Sequence, residues 1–185
     1  MPPRKKITAP AKPEPPPKIK PTGSAKARRS AARLAAVQGL YQIDLAGASS
    51  ETVIHEFVRH RIGQEQDGDE FVTAEPQLFA DIVRGVQARL ADVDQMLGGL
   101  LSQQWSLERM ELLLRAILRA GAWELLANEA VPPHIIINDY IDVAHAFFSG
   151  REPGMVNGVL DKLARTLRPA EMAARTAAKG GAGTP

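Results

Sequence analysis

Four basic side chains near the start of the chain, Lys26, Arg28, Arg29 and Arg33, are the residues whose type and spacing best suggest chemistry. Lys26, Arg29 and Arg33 stand at i, i+3 and i+7, so a helix places them on one side as a basic ridge. Cations in a first turn oppose the helix macrodipole at about 0.3–1 kcal/mol each, so helix stability does not explain them. A phosphate backbone lying there would engage both the free N–H groups and the guanidinium forks. A solvated charge run that aids solubility is the competing reading.

The other candidates for chemistry are thin. His55 and His60 are five residues apart, which turns them about 140° away from each other on a helix, whereas zinc needs them at i and i+4. Asp142 and His145 can share a face but lack a third ligand. No phosphate-cradling GxxxxGK[ST], GxSxG or GxGxxG motif occurs, so the reading is no catalysis, no metal and no cofactor. Zero cysteines exclude thiolate zinc sites, iron–sulfur clusters and cysteine nucleophiles, and suit a reducing compartment. The start of the chain has no apolar signal segment, and the most apolar stretch, Leu107 to Leu126, carries six charges, so no membrane span is expected.

The elements that must position the ridge follow from charge and periodicity. In a chain of 185 residues, positions 1–33 hold ten basic and one acidic side chain, and positions 34–185 hold thirteen basic and twenty acidic ones. A basic arm of +9 precedes a body of −7, which points to a polyanionic partner for the arm. Eight prolines within the first 21 residues predict an extended, disordered tail over 1–23, and the PxxP spacing at Pro13–Pro16 is common in such linkers. The periodicity then predicts an all-α domain over 24–168, followed by a flexible tail over 169–185.

Six helices are expected. The first runs from Ser24 to Gly47 with Leu34, Val37, Tyr41 and Leu45 on one stripe, the second starts at Ser50, and the third spans Pro76 to Leu97 before Gly98 and Gly99. An acidic loop, Gly63 to Glu70, separates the second and third. The fourth, from Ser106 to Asn128, is apolar around most of its circumference and should be central. The fifth follows Pro133 to Phe148, and the last runs from Pro153 to Leu167. The count suggests two packed three-helix bundles, about 24–99 and 100–168. Within the last helix, Gly158 of Asn157-Gly158 is read as allowing close helix packing.

Four segments in order carry a resemblance: ARRSAARLAAVQGLYQIDL (Ala27–Leu45), LLRAILRAGAWELL (Leu113–Leu126), VPPHIIINDYIDVAHAFF (Val131–Phe148) and MVNGVLDKLA (Met155–Ala164). Together they resemble the NusB family of bacterial transcription antitermination factors. The resemblance implies a cytoplasmic, non-enzymatic protein that binds boxA-containing single-stranded RNA. The implied partners are ribosomal protein NusE and the RNA polymerase antitermination complex; monomer and homodimer both remain open. It transfers RNA contacts to Arg28, Arg29 and Arg33, with Gln38 and Tyr41 as further candidates beside Lys26. Tyr41 also sits on the apolar stripe, where core packing is an equal reading.

The family's partner surface implies that Glu124, Asp139 and Phe148 meet NusE. Of the adjacent Phe147 and Phe148, one should pack inward and the other face a partner. Asn138 and Asn157 are read as partner contacts or as hydrogen bonds to helix ends. The chain departs from the family pattern in its proline- and lysine-rich extension, in Ser30 and Ala31 within the arginine run, and in Leu34 at a commonly acidic position. The competing functions are a protein-binding helical scaffold and an RNA-binding module attached to a ribosomal RNA-modifying enzyme, for which the chain has neither room nor a cysteine nucleophile.

Overall fold

A computed structural model describes residues 21–62, 72–101 and 105–180, with side chains as far as 175. Among them every regular element is helical: α1 (Ala25–Ala46), α2 (Ser50–His60), α3 (Pro76–Ala88), α4 (Leu90–Gly98), a single 3-10 turn (Leu107–Arg109), α5 (Leu112–Ala127), α6 (Pro133–Phe147), α7 (Glu152–Leu167) and α8 (Pro169–Gly180). None of these helices is long and apolar enough to cross a membrane.

Local chemistry sets the helix ends. Ser24 Oγ accepts from Ala27 N at 3.2 Å and Ser49 Oγ from Thr52 N at 3.1 Å, each satisfying one of the free donors of a first turn. Gly47 closes α1 at φ 64°, a left-handed conformation that glycine adopts without a Cβ penalty. Pro76 and Pro133 occupy first turns, where the missing N–H costs nothing.

Helices α1, α2 and α3 pack against one another, as do α5, α6 and α7, and α1 joins the two groups by lying along α5. Small residues on α1 are buried in this packing, among them Ala32, Ala35 and Ala36. On α3, a Cβ at Gly85 would lie 1.9 Å from the Trp123 ring of α5, so only glycine permits the approach of these two helices. Ten residues of α5 are buried, including Leu114, Ile117, Leu118 and Leu125, which makes it the central element expected from its apolar circumference.

Four boundaries differ from the sequence expectation. The third helix breaks at Arg89 (φ −123°, ψ 28°), and the break lets Val93 and Leu97 of α4 bury, with α4 packing on α5 and α7 as well as on α3. Ser106 makes no capping bond; Met110 and Glu111 are extended, Met110 is buried, and α5 begins only at Leu112.

Ordered structure also begins before Ser24. Thr22 N donates to Thr73 Oγ1 at 3.0 Å and Thr73 N donates to Thr22 Oγ1 at 3.1 Å. At the other end, the flexible tail expected from 169 is helix α8 as far as Gly180. Pro169 stops α7 but is tolerated in a first turn, and Met172 buries. The arm over 1–20, the acidic loop and positions 181–185 lie outside the described residues.

Candidate nucleic-acid interface

The basic ridge divides where α1 enters the body. Lys26 and Arg29 are exposed, Arg28 is half-buried, and Arg33 is 1% exposed. No acidic residue occupies the first turn of α1, and among the described residues no ion pair engages Lys26 or Arg29. The Arg28 Nε is shielded from solvent and has no hydrogen-bond partner there. An unmet donor among uncompensated cations is a local environment that an anion would relieve.

Arg33, expected to contact RNA, lies in the core and not on the exposed ridge. Its Nε donates to Glu124 Oε2 at 2.9 Å, its Nη2 donates to Glu124 Oε1, and its Nη1 reaches Asp139 Oδ2 at 2.6 Å. Ser30 Oγ donates to the same Asp139 oxygen at 3.0 Å, and the Tyr140 hydroxyl donates to Glu124 Oε2 at 3.1 Å. Asn128 Nδ2 adds a bond to Glu124 Oε1 at 3.1 Å. Lys26 and Arg33 share one side of α1, yet α5 and α6 cover that side at the second turn, so one face holds both a surface lysine and a core arginine.

The electrostatics agree with this arrangement. Burial by itself lowers the Arg33 pKa, but hydrogen bonding to Glu124 and the neighbouring negative charges raise it overall, so the guanidinium stays cationic. Burial, reinforced by the charge of Glu124, pushes the Tyr140 hydroxyl well above the ordinary 10.0, so it remains a donor.

The expected partner residues move as well. Glu124 is fully buried and Asp139 is 9% exposed, and both carboxylates face Arg33. Phe148 is half-buried against the core, and it is Phe147 that is exposed, at 44%. Asn138 and Asn157 are exposed and line a shallow polar depression between α6, α7 and α8. Gly158 is exposed with nothing near its would-be Cβ, so close helix packing does not account for it. His55 and His60 lie on the surface of α2 as expected.

The second half of α1 opens onto a different surface. Gln38 is exposed and Tyr41 is half-buried, and with Gln42, Leu45, Arg61, Glu111, Leu113 and Phe147 they line an open groove of about 570 Å³. Leu45 is 62% exposed at its edge. The sequence placed Leu45 on the apolar stripe and offered no signal for Arg61, whose guanidinium lies 4.3 Å above the Phe57 ring centroid. An apolar floor with a cation and an anion at its rim suits a protein side chain better than a phosphate chain.

A second ionic cluster sits beside this groove. Asp44 of α1 accepts from Arg115 at 3.0 Å and Arg119 at 2.7 Å, and Arg119 also reaches Asp94 of α4 at 2.7 Å. Among the described residues no group of three or more histidines and carboxylates could hold a metal.

A family model described as the NusB family matches residues 30–165. A curated relative, "Transcription antitermination protein NusB" of Bradyrhizobium sp. strain BTAi1, is 48% identical over 145 residues, covering 78% of this chain and 86% of the relative. A second relative of that name, from Maricaulis maris, is 47% identical over 143 residues, covering 77% and 89%. Among solved structures, a T. maritima NusB matches with a TM-score of 0.65 at 24% identity, over 78% of this chain and 95% of its own. A structure of antitermination factors NusB and NusE in complex with dsRNA matches at 0.63 and 22%, over 75% and 97%. These two likenesses concern the fold.

Proposed function

The chain belongs to the NusB family, and from that premise we propose that it is a non-catalytic transcription antitermination factor that binds boxA-like RNA of nascent transcripts together with NusE. The observation that carries the RNA contact is the start of α1, where Lys26, Arg28 and Arg29 bring three cations and an unmet donor to a helix start with no acidic residue in its own first turn. Phosphates supply affinity at such a ridge, and bases displayed by single-stranded RNA supply specificity. The basic arm adds sequence-independent attraction, and the net negative body restricts RNA to this end.

NusE docks in the groove lined by Tyr41, Leu45, Leu113 and Phe147. The exposed Leu45 and Phe147 support this placement, and Arg61 and Glu111 at the rim fix orientation. Acting on nascent RNA within the RNA polymerase antitermination complex places the protein in the bacterial cytoplasm.

Filter binding tests the reading with RNA that carries or lacks a boxA-like element, with and without NusE. Preferential binding of the boxA-like RNA, tightened by NusE, is expected, and Phe147→Ser should remove the tightening while leaving the fold intact. Equal, weak binding to every RNA would instead favour a scaffold.

A further inference from the structure

The fold puts one arginine of the expected RNA motif to an internal use. Arg33 bonds two helices at once: a fork of two nitrogens meets Glu124 on α5, and the third meets Asp139 on α6. Beside it the buried face of α1 carries the small Ala32, Ala35 and Ala36, and the larger Val37, Leu40 and Ile43 bury only further along the helix, so at the start of α1 side-chain packing defines the rotation weakly. Hydrogen bonds are directional and supply what the alanines lack.

The anchoring reaches the exposed ridge. Ser30 and Arg33 both donate to Asp139 Oδ2, so one carboxylate oxygen on α6 holds the turn that begins next to Arg29. The acceptors are themselves held. Tyr140 and Asn128 fix Glu124, and the carbonyl of Asn128 accepts from Arg168 at 3.3 Å at the junction of α7 and α8.

We propose that Arg33 is a positioning residue: through Glu124 and Asp139 it sets the rotation of α1 and so aims Lys26 and Arg29 at RNA, without touching RNA itself. The proposal rests on the RNA-binding reading above and assigns geometry, rather than phosphate neutralisation, to Arg33.

Two variants and two readouts test it. The chain has no cysteine, so Ala25→Cys and Asp142→Cys, both at exposed positions, accept a spin-label pair that reports how α1 sits against α6. The first variant combines Arg33→Met, Glu124→Leu and Asp139→Leu, which removes the polar hub without leaving a buried charge unpaired. The second is Ser30→Ala, a milder change that loses one bond.

In the triple variant the label distances should broaden. Discrimination between boxA-like and scrambled RNA should fall about tenfold, the scale of one lost charged hydrogen bond. The salt dependence of scrambled-RNA binding should match the wild type. Ser30→Ala should shift both readouts in the same direction by less.

A salt slope lower by about 0.7 in the triple variant would mean that Arg33 neutralises a phosphate itself, which overturns the proposal. Unchanged distances and unchanged discrimination would overturn it too, leaving Arg33 a purely stabilising residue. Should the triple variant fail to fold, Ser30→Ala decides by the same two readouts. Wild-type protein that binds both RNAs equally overturns the functional reading itself, and the label distances then decide the claim about α1 alone.

Discussion

Helix α1 is tied to the body by two ionic clusters of opposite polarity. Toward its start it supplies a cation, Arg33, to Glu124 and Asp139; toward its end it supplies an anion, Asp44, to Arg115 and Arg119. Helix α5 answers both, with its arginines near its start and its glutamate near its end, so the two helices run antiparallel. The clusters differ in wetness and balance. The first is dry and sets one guanidinium against two carboxylates, whereas the second pairs two with two and leaves the Asp94 side chain 30% exposed. A dry cluster is costly to desolvate and adds little net stability over an apolar core, but breaking it by removing one partner is severe. A partly wet cluster loses less when one member goes.

The largest effect expected from that contrast is Arg33→Met alone. With Glu124 and Asp139 left buried and unpaired, urea unfolding should show a loss of about 3–5 kcal/mol. Arg119→Met should cost less, about 1–3 kcal/mol, because Asp44 keeps Arg115 and Asp94 keeps water. An equal or larger loss at Arg119 would break the comparison.

Tyr140→Phe sharpens it on a smaller scale. The same urea assay should give about 1.5 kcal/mol at neutral pH, the low end for one lost hydrogen bond to a charged group, because Glu124 keeps its other partners. It also carries a pH signature. The folded hydroxyl keeps its proton above pH 10.0, where the unfolded chain has released it, so wild-type stability falls as pH rises beyond that value. The Phe variant should show a flatter alkaline limb.

Much of this was readable before the fold was known. The all-α class, the central fourth helix and the caps at Ser24 and Gly47 follow from local chemistry, which acts within a few residues. The ridge of Lys26 and Arg29 was legible for the same reason. Arg33 was not. Its spacing matches Lys26, and only the passage of α5 and α6 over the second turn separates surface from core. Glu124 and Asp139 were displaced by the same tertiary fact, since an acidic residue on a helix reads as exposed until a buried cation is found for it. The split at Arg89 was hidden because Val93 and Leu97 continue an apolar pattern that does not reveal a change of direction. For α8, Pro169 was read as a stop, although it also suits a first turn.

The most direct test concerns the division of labour along α1. The salt dependence of RNA affinity should be measured on single-stranded scrambled RNA for the wild type, Arg29→Ala and the triple Arg33 variant with Glu124→Leu and Asp139→Leu. The slope of log K against log salt should fall by about 0.7 in Arg29→Ala and stay at the wild-type value in the triple variant. A slope unchanged by Arg29→Ala and reduced in the triple variant would contradict the account.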